Sequence, residues 1–159
     1  MLNSGDIRKN IIMELDNAVL EKLEKLKGGN SWNELFEQLL DEREEMLEQT
    51  KPEVKKTSSR HIPVAIKRHV IKRTNGQCAY PGCKKRLKIL HHTDRFALKK
   101  EHNSDTIKPM CKPHERIAHH GLIENEQGPS ENWKVKARAD QQADIYKIDR
   151  LVMKYRSPR

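Results

Sequence analysis

All three cysteines and six of the eight histidines fall between Cys78 and Gly121. Thiolate and imidazole bind transition metals and move protons near neutral pH, so chemistry is expected in this segment. Cys78 and Cys83 form a C-x4-C pair around Pro81-Gly82, a tight-turn dipeptide, and Cys111 with His114 forms a C-x2-H pair. Two such pairs can close a tetrahedral Cys3His zinc site, which holds a fold together rather than reacting. The plain alternative is three free thiols in a reducing compartment. The use of every cysteine at a ligand-like spacing favours zinc.

Between the two pairs stands His91-His92, and just after the second comes Glu115-Arg116-Ile117-Ala118-His119-His120. On a helix Glu115 and His119 lie at i and i+4 on one face, as two ligands of a single ion must. His91 adds a third ligand for a divalent cation. His92 is then left as a neutral imidazole able to take a proton from water. Hydrolysis of a phosphodiester requires an activated water, a cation that holds charge on the phosphate, and stabilisation of the leaving oxygen. His120 stays open as an alternative to His119 through a small change of helix register. His61, His69 and His102 are read as solvated or structurally bonded side chains.

In this order of residues, paired zinc ligands enclosing a double His and followed by a helical His, the segment of roughly residues 60–121 resembles the HNH nucleases with a zinc-stabilised ββα-metal core. The resemblance implies a β-ribbon around His91-His92 and a helix from about Lys112. It matches His92 to the general base, and His91 and His119 to metal ligands. Glu115 stands at a position that is commonly His in the family. It also implies structural Zn2+ and one further divalent ion (Mg2+, Mn2+, Ni2+ or Zn2+). The chain departs from the family five residues before Cys111, where an Asn is expected and Thr106 stands. A threonine hydroxyl can still orient His92 through one hydrogen bond. A zinc-held DNA-binding protein without catalysis is the alternative reading.

Charge is divided sharply along the chain. Residues 1–50 carry 6 Lys/Arg against 12 Asp/Glu, whereas residues 51–159 carry 26 against 11, within a net charge of +9. The basic part holds the candidate site, and DNA is its natural partner because Lys and Arg displace the counterions condensed on phosphates. Lys67, Arg68, Lys72, Arg73, Arg95, Lys99, Lys100 and Arg116 are the candidate phosphate contacts. No apolar run reaches the ~20 residues of a membrane span, and the N-terminus has no signal-peptide pattern. A cytoplasmic protein is expected.

The elements that must position these residues can be read from periodicity. Residues 7–16 alternate apolar and polar as a short strand does. Asp16 to Gly28 then reads as a capped amphipathic helix. Ser31 and Glu34 form a capping box for a second helix faced by Trp32, Leu35, Phe36, Leu39 and Leu40. Strand, helix, glycine turn and helix resemble the ribbon-helix-helix fold, which implies a homodimer through residues 7–46, with Arg8 and Asn10 on the outer face of its ribbon. Residues 49–60 lose periodicity and gather Pro52, Thr57, Ser58 and Ser59, the pattern of a mobile linker. A helix is expected from Pro63 to the turn at Thr74-Asn75-Gly76, and a last amphipathic helix over Gln141 to Tyr155, with Trp133 in a loop packed on the zinc domain. With only 35% hydrophobic residues no single core can be large. The expected architecture is α+β: a dimerisation arm over 1–48, a linker over 49–60, a zinc-stabilised HNH domain over 61–125, and a loop with a terminal helix over 126–159.

Overall fold

The structure, a computed structural model, describes residues 10–156. It contains helices and small antiparallel strand pairs, an α+β arrangement, and its contacts divide the chain into two units, Met1–Glu45 and Met46–Arg159.

The first unit carries α1 (Asn17–Lys27) and the start of α2 (Trp32–Gln49). α1 stops at Gly28, which takes a φ of 54° that side chains with a Cβ rarely adopt. α2 opens with the capping box. Glu34 Oε2 accepts from the Ser31 amide at 2.6 Å, and Ser31 Oγ accepts from the Glu34 amide at 3.3 Å. Asp16 occupies the N-cap of α1 without a side-chain cap bond. The strand expected over residues 7–16 is not formed where it can be observed: Ile7 and Arg8 lie outside the described residues, and Asn10 to Asp16 are irregular. A strand is defined by a partner across the ladder, and among the described residues of the arm there is none.

The second unit begins with a correction. The segment expected to be a mobile linker contains β1 (Lys55–Lys56), which pairs antiparallel with β3 (Glu101–His102). The Thr57 amide extends the ladder to the Lys100 carbonyl at 2.9 Å. Backbone pairing orders this stretch where side-chain periodicity gives no sign of it. α3 (Val64–Arg73) follows, and its Ile66 and Val70 join Ile62 and Ile107 in one small core.

β2 (Ile89–His92) pairs antiparallel with β4 (Ile107–Met110), His92 lying opposite Ile107 and His91 opposite Lys108. The connection between them holds the single turn α4 (Phe96–Lys99) and β3. α5 (Lys112–His119) starts directly after β4, with Cys111 at its N-cap and Pro113 in its first turn, where no amide donor is needed. The tail is more structured than a loop. β5 (Ile123–Glu124) pairs with β6 (Lys134–Val135), placing Trp133 in a second core with Cys78, Met110, Cys111, Ala118 and Ile123. α6 (Asp144–Arg156) is the last element. Two small cores fit the low hydrophobic content. Among the described residues no helix is long and apolar enough to cross a membrane.

Candidate active site and metal centre

The ligand atoms of Cys78, Cys83, Cys111 and His114 all lie within 4.8 Å of one another, so this cluster could hold a zinc ion. Local structure brings them there. Tyr80 to Cys83 form a turn closed by the Cys83 amide on the Tyr80 carbonyl at 3.0 Å, with Pro81 followed by Gly82 at a φ of 71°, the residue order of a type II turn. Cys111 and His114 meet because a helical first turn brings positions i and i+3 together. The ring of His114 stacks on Tyr80 with centroids 4.1 Å apart.

Zinc–sulfur bonds of ~2.3 Å in a tetrahedron place neighbouring ligand atoms about 3.7 Å apart. Here His114 Nδ1 lies 3.3 Å from Cys78 Sγ and 3.4 Å from Cys111 Sγ, and Cys83 Sγ lies 4.0 Å from Cys111 Sγ. These three separations are close to that spacing, so the cluster could hold zinc. Burial pushes the Cys78 thiol up to about 11. Ligation must displace that proton, which couples metal affinity to pH.

The second group lines a cavity of about 420 Å³ whose walls include His91 and His92 from β2, Glu115 and His119 from α5, and Asp149 from α6. Glu115 Oε1 lies 3.1 Å from His119 Nε2, as the i, i+4 spacing implies, and the rings of His91 and His119 meet edge to face at 4.9 Å.

The three expected cation ligands face one cavity, but their donor atoms do not converge. His91 Nε2 is 2.6 Å from Glu126 Oε1 and 2.9 Å from Arg95 Nη1. Among the described residues, Cys78, Cys83, Cys111 and His114 are the one His/Cys/Asp/Glu group whose ligand atoms converge as a metal requires.

Arg95 is the main correction to the candidate residues. Expected on the surface as a phosphate contact, it is 4% exposed and sits at the centre of a charge network. Its Nε donates to Asp149 Oδ1 and Oδ2 at 2.9 and 2.8 Å, and its Nη2 lies 2.7 Å from Asp149 Oδ2. Nη1 donates to Glu126 Oε1 at 2.6 Å, and Nη2 donates to the Ala118 carbonyl at 3.1 Å. A left-handed backbone, φ 53°, turns the side chain inward just after β2. Burial opposes ionisation of Glu126 and Asp149. Bonds from His91 and Arg95 to the first, and from His119 and Arg95 to the second, outweigh it and hold both below the usual carboxylate range.

Burial likewise opposes a charge on His119. Hydrogen bonds to Asp149, at 2.7 Å, and to Glu115 outweigh it and raise the ring to about 9. Glu126 and Asp149 face the Arg95 guanidinium, and Asp149 and Glu115 together draw a proton onto His119.

His92 is half-buried. Burial first, and then the neighbouring His102, depress its ring to about 4, so it is neutral at neutral pH. Its Nε2 lies 3.0 Å from Nδ1 of His102, a residue read from sequence as solvated or structurally bonded, which is buried and bonded. Thr106 does not take the orienting part expected of it. Its hydroxyl donates to the Asn103 carbonyl at 3.4 Å, and its own carbonyl accepts from the Thr93 amide at 2.8 Å. His120 is exposed and bonded to the Arg116 carbonyl, outside this cavity. His69 is buried on α3, and His61 is exposed.

No protein-family model, curated protein or solved structure matches this chain.

Of the remaining candidate phosphate contacts, Arg68, Lys72, Lys99, Lys100 and Arg116 are exposed and Lys67 is partly so. Arg73 is engaged with Asp105 at 3.5 Å and donates to the Ser104 carbonyl at 2.9 Å. Sequence reasoning missed Glu126 and Asp149. Asp149 did leave a signal, since it interrupts the apolar stripe of Ile145, Ile148 and Val152, where an unpaired carboxylate would be costly.

Proposed function

We propose that this chain is a metal-dependent endonuclease of the HNH type that hydrolyses DNA phosphodiester bonds. The observation that carries the reading is a single cavity lined by the adjacent His91 and His92 and by Glu115 and His119 from a helix later in the chain. The order of an antiparallel strand pair followed at once by a helix supports it, as does the Cys3His cluster, which would hold structural zinc. For His91, Glu115 and His119 to hold the divalent ion, His119 would have to release its proton and the three donor atoms would have to turn together. When bound, that ion supplies charge stabilisation for the phosphate and the leaving oxygen.

The chain's own groups do the rest. His92, neutral and half-buried, accepts a proton from water as the oxygen attacks phosphorus. The exposed Arg68, Lys99, Lys100 and Arg116 draw the phosphate backbone to the basic unit. Arg95 and its carboxylate partners hold the walls of the cavity.

Dimerisation through residues 7–46 belongs to the same reading. The described arm buries Leu35 alone and leaves Ile11, Ile12, Leu20, Leu26, Trp32 and Leu40 exposed. A second copy would cover such surface.

Nicking of supercoiled plasmid with Mg2+, Mn2+ or Ni2+ tests the activity. The wild type should cut, and His92→Ala should lose roughly 10²- to 10⁴-fold in rate. Cleavage retained by His92→Ala removes that residue as the base. One observation favours a second reading, a zinc-held DNA-binding protein without catalysis: the hydroxyl of Thr106 is bonded to Asn103 instead of His92. Wild-type protein that retards DNA yet cuts with none of the three metals would decide for it.

A further inference from the structure

We propose that Arg60 is a phosphate-binding residue whose guanidinium holds the non-bridging oxygens of the DNA phosphodiester presented to His92. This rests on the hydrolase reading above and deepens it. The charge inventory of the cavity carries it. Besides its histidines, the charged residues that line the cavity are Arg60, Arg95, Glu115 and Asp149. Arg95 is already matched, with Nη1 donating to Glu126 at 2.6 Å and Nη2 lying 2.7 Å from Asp149. Arg60 is exposed, and its guanidinium makes no hydrogen bond or ion pair among the described residues. A phosphodiester carries a negative charge, so beside Glu115 and Asp149 it would be repelled unless an unmatched cation met it. Arg60 is that cation. It is charged at every relevant pH, and its planar fork fits two oxygens of one phosphate.

The elements that line the cavity differ in sign, which sets where the phosphate lies. Arg60, Ile62, Ile89, Leu90, His91 and His92 all belong to residues 54–93, a run that holds eleven Lys/Arg and no Asp/Glu. The lining carboxylates, Glu115 and Asp149, come from α5 and α6. An incoming phosphate is therefore drawn to the wall that Arg60 shares with His92, the residue assigned to take the proton from water.

The backbone that carries Arg60 is anchored on both sides. Before it, the Thr57 amide donates to the Lys100 carbonyl at 2.9 Å, and the Ser59 carbonyl lies 3.0 Å from His102 Nε2. After it, Ile62 is buried in the core with Ile66, Val70 and Ile107. Only the side chain is left to move, and a cation on fixed backbone loses less freedom on meeting a phosphate than one on a loose segment. In sequence Arg60 ends the expected linker, and the pairing of β1 with β3 is what secures it beside the cavity.

The test uses the full chain, zinc-loaded. Retardation of duplex DNA is measured over a salt series in a His92→Ala background with no added divalent ion, so that cutting does not interfere. Arg60→Ala should lower the log–log slope by about 0.9 there, as the loss of one phosphate contact requires. In the otherwise wild-type chain Arg60→Ala should nick plasmid roughly 100-fold more slowly. Arg60→Lys keeps the charge but not the fork, so it should keep the slope and fall between the two in turnover. Arg60→Gln replaces the alanine variant should that one fail to fold. An unaltered slope overturns the proposal whatever the turnover does, because the guanidinium then meets no phosphate. In protein that cuts, a lower slope with unaltered turnover overturns it too, because the phosphate it meets is then not the one cleaved. If the wild type cuts no DNA while Arg60→Ala still lowers the slope, Arg60 keeps its phosphate and the hydrolase reading falls.

Discussion

Removing one carboxylate from the buried charge network gives the most decisive test of how the second unit is held together. Asp149 is 1% exposed and is the partner of both Arg95 and His119. Asp149→Ala leaves the Arg95 guanidinium buried with one carboxylate instead of two. Breaking a buried ion pair from one side costs about 3–5 kcal/mol. Arg95 keeps Glu126 and the Ala118 carbonyl, so the lower end applies, about 3 kcal/mol. For a unit of this size 1 kcal/mol corresponds to roughly 4 °C, which makes the expected drop in Tm about 12 °C. Urea or thermal unfolding at saturating zinc measures it, with Asp144→Ala on the same helix as control. Asp144 is 83% exposed and lies 3.8 Å from Lys147, so its loss should shift stability by less than ~1 kcal/mol. A drop for Asp149→Ala no larger than the control's would refute the network, because it would mean that Arg95 reaches water as easily as it reaches Asp149.

Other consequences can be measured directly. Purified protein should carry roughly one tightly bound zinc, and Cys83→Ser or a strong chelator should abolish cooperative unfolding of the second unit, since site formation and folding are coupled. Metal-free protein with an unchanged Tm would contradict this. The full chain should sediment as a dimer at micromolar concentration, and Leu40→Asp, at an exposed apolar position of α2, should give monomers of unchanged helicity. A monomeric wild type sinks the arm's proposed part. DNA retardation should weaken with salt, and Arg68→Ala or Lys99→Ala should each lower the log–log slope by about 0.9 if that cation meets a phosphate. Arg95→Ala should lower stability without that change in slope, because the guanidinium is buried.

What could be read from the sequence is what short-range physics dictates. Each ligand pair is close in sequence, so spacing pointed to Cys78, Cys83, Cys111 and His114 as one cluster, with free thiols as the alternative. The capping box at Ser31 and Glu34 and the shared helical face of Glu115 and His119 follow from the 3.6-residue period in the same way. Tertiary structure decided whatever depends on partners far along the chain. Nothing near Arg95 indicates that Asp149 and Glu126 would draw it inside; in isolation an arginine on a turn belongs in water. Lys55 and Lys56 look like a solvated linker until the backbone of Glu101 and His102 offers them a ladder. His102 shows no pattern of its own, and its place against His92 depends on the ribbon, the α4 turn and the Ser59 carbonyl together. Periodicity records which face a residue presents, whereas the identity of the group it meets is set by long-range packing that no local window contains.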